Sequence, residues 1–263
     1  MGFPLDRLES IYLTHLHSDH IDGLGELLTI AWVGGSRSSP LPVIGPTGTQ
    51  SVVDGFNAAY RLDSTYRTAH HGPEVADPNG FGCEAVEIVL PAGPGGESVI
   101  FNDETLKITA IRVEHAPIEP AFGYRIDYKD RSLSISGDTI YHPGFVAMSE
   151  GVDVMVHEAL DPEMVEAIGL QLSVRGQANN AKIFADILDY HATPEQAARA
   201  AQEAGAKELV YYHLVPPLPV RLVETVFLGD AKSEFDGPIT VGRDGVIVSL
   251  PAGSNKITKS KTF

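Results

Sequence analysis

Cysteine is almost absent from the sequence: its 263 residues include Cys83 and no other, so no disulfide can form within the chain. The sequence also lacks any run of about 20 apolar residues, the length that a membrane-spanning helix requires. No positively charged segment followed by an apolar one marks its start as a secretory signal. From these absences we expect no membrane partner and a cytoplasmic location.

Basic residues are few relative to acidic ones. The chain has 19 lysines and arginines against 35 aspartates and glutamates, which gives a formal net charge of −16. A surface of that charge repels polyanions, and contacts to nucleic acid phosphates normally require lysine or arginine side chains. Nucleic acid is therefore disfavoured as a partner.

The sequence otherwise has the composition of a globular protein, with 43% hydrophobic and 21% charged residues. Its periodicities predict an α/β fold in a single domain spanning residues 1–263. Strands are predicted at 10–14, 41–44, 85–89, 98–101, 105–113, 122–127, 131–136, 152–157, 209–212, 238–241 and 246–250, and helices at 21–32, 47–60 and 194–204. Residues 61–83 are interpreted as a surface excursion, 238–250 as a hairpin and 254–263 as a frayed tail.

The segment THLHSDH, from Thr14 to His20, follows the first predicted strand and contains three histidines and an aspartate. Imidazole nitrogen and carboxylate oxygen suit zinc, and to a lesser degree iron or manganese. In a tight turn, His15 and His17 can converge on one ion while Asp19 and His20 point towards another. The segment therefore predicts a site for two metal ions.

Three further candidate ligands stand at the ends of later apolar strands. His115 ends IRVEH, Asp138 lies in SGDT after the strand LSIS, and His213 ends LVYYH. Two ions with four or five ligands each need about six or seven protein ligands as well as open positions for water. The candidates supply that number: His15, His17, Asp19, His20, His115, Asp138 and His213.

With these motifs the chain resembles the metallo-β-lactamase superfamily, in which HxHxDH, a lone His, a lone Asp and a final His form a dinuclear site. The resemblance implies a four-layer αβ/βα sandwich. It assigns the first metal to His15, His17 and His115, the second to Asp19, His20 and His213, and a bridging role to Asp138. Superfamily members usually have several strands before HxHxDH, but fourteen residues precede it here, so the first N-terminal strands are expected to be missing.

Two more segments resemble ribonuclease Z, the tRNA 3′-processing branch of the superfamily. They are HEA at His157–Ala159 and HATPEQAA at His191–Ala198. In that branch a Glu and a His pair near the metals and help to protonate the leaving oxygen, roles that fall here on Glu158 and His191. The resemblance implies two Zn²⁺ ions, with Mn²⁺ or Fe as alternatives, which activate a bridging hydroxide that Asp19 orients.

The spacing departs from ribonuclease Z at one point. Members that process tRNA usually carry a long arm, often between the lone His and the Asp, whereas 22 residues separate His115 from Asp138. Together with the acidic charge, this short gap favours a hydrolase of small phosphodiesters or related esters. Processing of tRNA 3′ ends is the alternative. Arylsulfatase and β-lactamase-like activities rank lower, the latter because true β-lactamases generally lack a bridging Asp.

Other interpretations remain open at this point. The chain could be an oxygen-using diiron or single-iron protein of the same fold, or a non-catalytic protein that metal stabilises. A homodimer is also compatible with the sequence. His142, four residues after Asp138, is considered as a support for the ligands, and Cys83 as a small core residue.

Overall fold

The computed structural model of the protein describes residues 7–93 and 95–262. It divides into two compact units, unit 1 (Met1–Val89) and unit 2 (Leu90–Phe263). Both units combine helices with β-sheet, which confirms the α/β class. The single domain over 1–263 stays a prediction.

Unit 1 contains a parallel sheet in the order β1-β2-β3. Its strands are β1 (Ile11–Tyr12), β2 (Leu41–Pro46) and β3 (Cys83–Ile88), and its helices are α1 (Ser18–Ile21), α2 (Leu24–Gly35) and α3 (Thr49–His71). The core of this unit includes Leu28, Leu41 and Val43, and Cys83 is buried within it as predicted.

Helix α3 is longer than the sequence analysis proposed, and the surface excursion assigned to 61–71 is wrong. These eleven positions contain no glycine or proline, so nothing stops the helix before Gly72. Gly72 has a φ of 81° and ends the helix. A residue with a side chain is strained in that left-handed conformation.

Unit 2 contains a seven-stranded sheet in the order β10-β9-β8-β7-β6-β5-β4. The strands are β4 (Glu97–Asn102), β5 (Leu106–Val113), β6 (Ala121–Tyr128), β7 (Arg131–Ile135), β8 (Val154–Leu160), β9 (Glu208–Val215) and β10 (Ile239–Val241). Strands β4 to β7 pair antiparallel, and β7 to β10 pair parallel. The carboxyl ends of the parallel strands therefore lie at one edge of the sheet, where α/β proteins place their sites.

The helices of unit 2 are α4 (Pro143–Met148), α5 (Pro162–Val174), α6 (Ala178–Asp186), α7 (Pro194–Glu203), α8 (Glu224–Leu228) and α9 (Ala231–Glu234). Thr193 caps α7 in a capping box with Gln196. Helices α5 and α6 were missed, although Asp161 followed by Pro162 is a helix-start signal. Among the described helices, none is long and apolar enough to cross a membrane.

The C-terminal end differs from both of its predictions. Strand β10 pairs with β9 and not with β11 (Val246–Ser249), which pairs instead with β12 (Thr258–Lys261) in the segment expected to fray. The buried Arg131 guanidinium donates hydrogen bonds to the carbonyl oxygens of Ser254 and Lys256, so the chain leading into β12 is held to unit 2. This anchor lies more than 120 residues away in sequence, where no local pattern reveals it.

Candidate metal centre

The unit 1 candidates lie in the turn between β1 and α2, where the structure brings them together in two pairs. His15 is buried, and its Nε2 atom lies 3.1 Å from Nδ1 of His17. Asp19 and His20 are in α1, with Oδ2 of Asp19 3.4 Å from Nε2 of His20. These are the two pairs that the sequence motif predicts.

The donor spacing in these pairs fits zinc. At the usual Zn–N bond of about 2.0–2.1 Å, two donors on a tetrahedral ion lie about 3.3 Å apart. The separations of 3.1 Å and 3.4 Å are close to that value. Imidazole and carboxylate are also the donor types that zinc takes in hydrolases.

The unit 2 candidates lie at neighbouring strand ends. Asp138 follows β7 and is buried, with its Oδ2 atom 3.8 Å from Nε2 of His115 and 3.5 Å from Nε2 of His213. His115 follows β5 and is fully buried, whereas the His213 side chain in β9 is 21% exposed. One carboxylate between two imidazoles is the arrangement that a bridging ligand needs.

Neighbouring backbone groups orient both imidazole rings. Nδ1 of His115 lies 3.0 Å from the carbonyl oxygen of Tyr190, so its N–H donates there and Nε2 presents a lone pair. His213 occupies a bulge in β9, because Tyr212 pairs with Glu158 and Leu214 with Ala159. Its φ of 45° interrupts the regular alternation of side chains along β9 and redirects the His213 side chain, as bulges beside functional sites often do.

Glu158 and His191 form a hydrogen-bonded pair. The Glu158 side chain is fully buried in β8, and its Oε1 atom accepts from Nδ1 of His191 at 2.8 Å and from the backbone N–H of Thr139 at 3.0 Å. The imidazole of His191 stacks on that of His213, with ring centroids 5.7 Å apart. One ligand atom from each of Asp138, His191 and His213 lies within 4.8 Å of the others.

Burial and the nearby Asp138 charge raise the pKa of Glu158 well above its usual value, while the backbone N–H of Thr139 opposes this rise. The adjacent His157 is also buried, and desolvation lowers its pKa to about 4. Its Nδ1 lies 2.8 Å from the Glu158 carbonyl oxygen. His157 is therefore a neutral residue of the interior at pH 7.

His142 and Thr139 have roles that the sequence did not reveal. Nδ1 of His142 accepts from the backbone N–H of Phe145 at 3.0 Å, so His142 is the N-cap of α4. The Thr139 hydroxyl accepts from the backbone N–H of Glu114 at 3.2 Å, which fastens the Asp138 loop beside His115. The threonine of SGDT was the available signal, since its hydroxyl can bond to nearby backbone.

Sequence comparison finds relatives that match most of the length of the chain. The family model described as a β-lactamase superfamily domain matches residues 3–214. The protein named ribonuclease Z from Mycolicibacterium gilvum is 32% identical over 246 residues, which cover 93% of this chain and 78% of that protein. The ribonuclease Z of Mycobacterium avium is 34% identical over 257 residues, covering 97% of this chain and 84% of that protein.

Solved structures share the fold at lower identity. Human tRNase Z, short form, has a TM-score of 0.62 at 22% identity, covering 95% of this chain and 82% of that one. The metallo-β-lactamase fold protein YhfI from Bacillus subtilis has a TM-score of 0.59 at 19% identity, covering 98% and 80%. The fold expected from the motifs, the metallo-β-lactamase fold, is confirmed.

Proposed function

The chain belongs to the metallo-β-lactamase superfamily as a ribonuclease Z-like member and is a metal-dependent hydrolase, and on that premise we propose that it cleaves phosphodiesters at a dinuclear centre. The observation that carries the proposal is the position of Asp138 between two histidines, beside the Glu158–His191 pair. A purely structural zinc would close with four ligands and would need neither a bridge nor such a pair.

We assign the first ion to His15, His17 and His115, the second to Asp19, His20 and His213, and the bridge to Asp138. When bound, the two ions supply an activated water and neutralise charge on the phosphate oxygens. Zinc is the proposed metal because the donors are imidazole and carboxylate at suitable spacing, and manganese and iron accept the same donors.

We assign His191 as the acid that protonates the leaving oxygen. Since Nδ1 of His191 is bonded to Glu158, the proton at Nε2 is the one that a protonated His191 can transfer. Glu158 is fully buried, so it acts through His191 as a positioning residue. Its Oε1 atom accepts from Nδ1 of His191 and so fixes the orientation of the imidazole.

The substrate has two candidates within the phosphodiester class. The relatives named ribonuclease Z favour RNA, and specifically removal of the tRNA 3′ trailer, over a general diesterase. A small diester is favoured by the net charge and by the chain between His115 and Asp138. That stretch contains β6 and β7, with Tyr128 paired directly to Arg131, so no long arm stands in this described part of the chain.

One comparison on a single preparation separates the two candidates. Elemental analysis should first give about two metal equivalents per chain. Then kcat/KM is measured at one moderate salt concentration for bis(4-nitrophenyl) phosphate and for a tRNA precursor with a 3′ trailer. Trailer removal at the discriminator position assigns tRNA processing, and cleavage of the small diester alone assigns the other candidate. A metal-loaded, folded protein that cleaves neither contradicts the proposal.

The acid role of His191 has its own readout in the same assay. Nitrophenolate is a weakly basic leaving group and needs little protonation, whereas phenolate needs more. His191→Ala should therefore slow diphenyl phosphate by about 10²–10⁴-fold and bis(4-nitrophenyl) phosphate much less. His70→Ala, at the exposed end of α3, is the matched control. Equal losses on both substrates would show that His191 is not the acid.

A further inference from the structure

A groove lies beside His213, along the edge of β9 that β10 leaves uncovered. Strand β10 pairs only with residues 209–211, and the backbone N–H of Gly242 makes the last bond, to Tyr211 at 2.8 Å. Beyond that point a cavity of about 790 Å³ opens. Its walls include His213, the apolar side chains of Leu214, Leu218 and Val246, and the cations Arg243 and Lys261.

The charge in this groove differs from that of the protein as a whole. Arg243 is paired with Glu224 at 2.7 Å, and Asp244 is the one acidic residue in the lining. Lys261 forms no ion pair within the described part of the chain. A neighbouring cavity of about 280 Å³ shares Arg243 and Lys261 and adds Arg221, Lys259 and the acidic Glu224. Lys259 is paired with Glu208 at 2.7 Å.

Tertiary pairing creates this concentration of positive charge. Residues 239–262 contain four basic residues and one acidic residue, although the chain carries −16 overall. The β11–β12 hairpin places Lys261 opposite Val246, and both residues line the cavity together with His213. In sequence, Lys261 is 48 residues from His213, so no local cluster near the motifs announces the groove.

We propose that this groove binds a second phosphate of the substrate, one nucleotide unit away from the phosphodiester that is cleaved beside His213. This inference rests on the proposed phosphodiesterase function. Arg243 and Lys261 would bind the second phosphate, because a guanidinium fork and an ammonium group both suit phosphate oxygens. Leu214, Leu218 and Val246 offer an apolar wall to the sugar and base between the two phosphates.

The test uses two substrates that differ in that phosphate alone. They are the 4-nitrophenyl ester of thymidine 5′-phosphate and the same ester with an added 3′-phosphate. The wild-type protein should have the higher kcat/KM for the second substrate, because its KM for that substrate should be lower. Lys261→Gln should reduce this preference by about three- to fivefold, the upper part of the range of an exposed ion pair, and added salt should reduce it in the wild type. The matched control Lys256→Gln changes the same charge in the same tail outside the groove and should leave the preference unchanged.

A preference that Lys261→Gln leaves intact, or one that Lys256→Gln lowers equally, overturns the groove assignment. A third substrate, in which the added 3′-phosphate carries a methyl ester, shows which kind of phosphate the groove binds. If it is preferred as strongly as the 3′-phosphate substrate, the groove accepts an internal phosphate of a chain. If the preference is lost, the groove binds a terminal phosphate. If neither nitrophenyl ester is cleaved, the proposed function has failed. Calorimetric binding of thymidine 3′,5′-bisphosphate then tests the groove by itself, and equal affinity of the wild type and Lys261→Gln would overturn it.

Discussion

The Asp138 carboxylate has one oxygen within 3.8 Å of His115 and 3.5 Å of His213, and its side chain is 2% exposed. A buried carboxylate is costly unless cations or donors compensate its charge. In the proposed centre the compensating cations are the two metal ions, one held by His115 and the other by His213, on either side of the Asp138 carboxylate. Asp138 is therefore the residue on which occupancy of both proposed sites depends.

We predict that Asp138→Ala loses at least one of two metal equivalents together with the hydrolytic activity, because both ions of the proposed centre would share this ligand. Elemental analysis after dialysis against a metal-buffered solution measures the loss. His142→Asn is the control, since asparagine can keep the N-cap bond to Phe145, and both metals should remain. Two full equivalents in Asp138→Ala would mean that Asp138 does not bridge.

Helix α7 shows how a secondary-structure element positions the side chain proposed as the acid. His191 lies two residues before the N-cap, Thr193, whose hydroxyl accepts from the backbone N–H of Gln196 at 3.2 Å while the Gln196 side chain accepts from Thr193. Four alanines on this helix are buried, which allows it to pack closely: Ala197, Ala198, Ala200 and Ala201. Both the hydrogen bonds between Thr193 and Gln196 and the packing of the alanines therefore fix the start of α7, just after His191.

Thr193→Ala should lower the free energy of unfolding by about 1 kcal/mol, because the helix loses its N-cap acceptor. For a protein of this size the melting temperature should fall by about 2–4 °C. Thermal melts of the metal-saturated proteins measure the change. Thr193→Ser keeps the hydroxyl and should melt close to the wild type, so an alanine variant as stable as the serine variant would contradict the role of the cap.

At the scale of the whole molecule, metal binding and stability are linked. An ion that binds only the folded chain stabilises it by about 2.7 kcal/mol at a hundred times its dissociation constant. Removal of metal should therefore lower the melting temperature by about 5–10 °C for each ion lost, given about 2–4 °C per kcal/mol. Melts before and after chelation test this.

Zinc returned after chelation should restore the melting temperature in the wild type, and Asp138→Ala should show a smaller shift. A chelated protein that melts at the wild-type temperature and takes up no zinc would contradict the proposed centre. The chelated sample also provides the reference state for the metal counts of the variants.

Short-range patterns in the sequence were sufficient to predict many of the strands and to name the candidate ligands. Strands β2 to β9 and helix α7 lie within a few residues of their predicted positions, because alternating hydrophobicity, capping residues and proline act over short distances. The pairs His15–His17 and Asp19–His20 are close together because a single turn holds them. The ribonuclease Z-like family was likewise visible in the motifs, and the comparisons confirm it.

Tertiary structure decided what depends on contacts between distant segments. Strand β10 pairs with β9 although β11 is its neighbour in sequence, and the tail forms β12 because Arg131 holds the preceding chain. The Glu158–His191 bond and the groove at Lys261 depend on the same long-range pairing. Periodicity reports which face of a segment is buried, whereas the partner that buries it is chosen by the free energy of the whole packed chain.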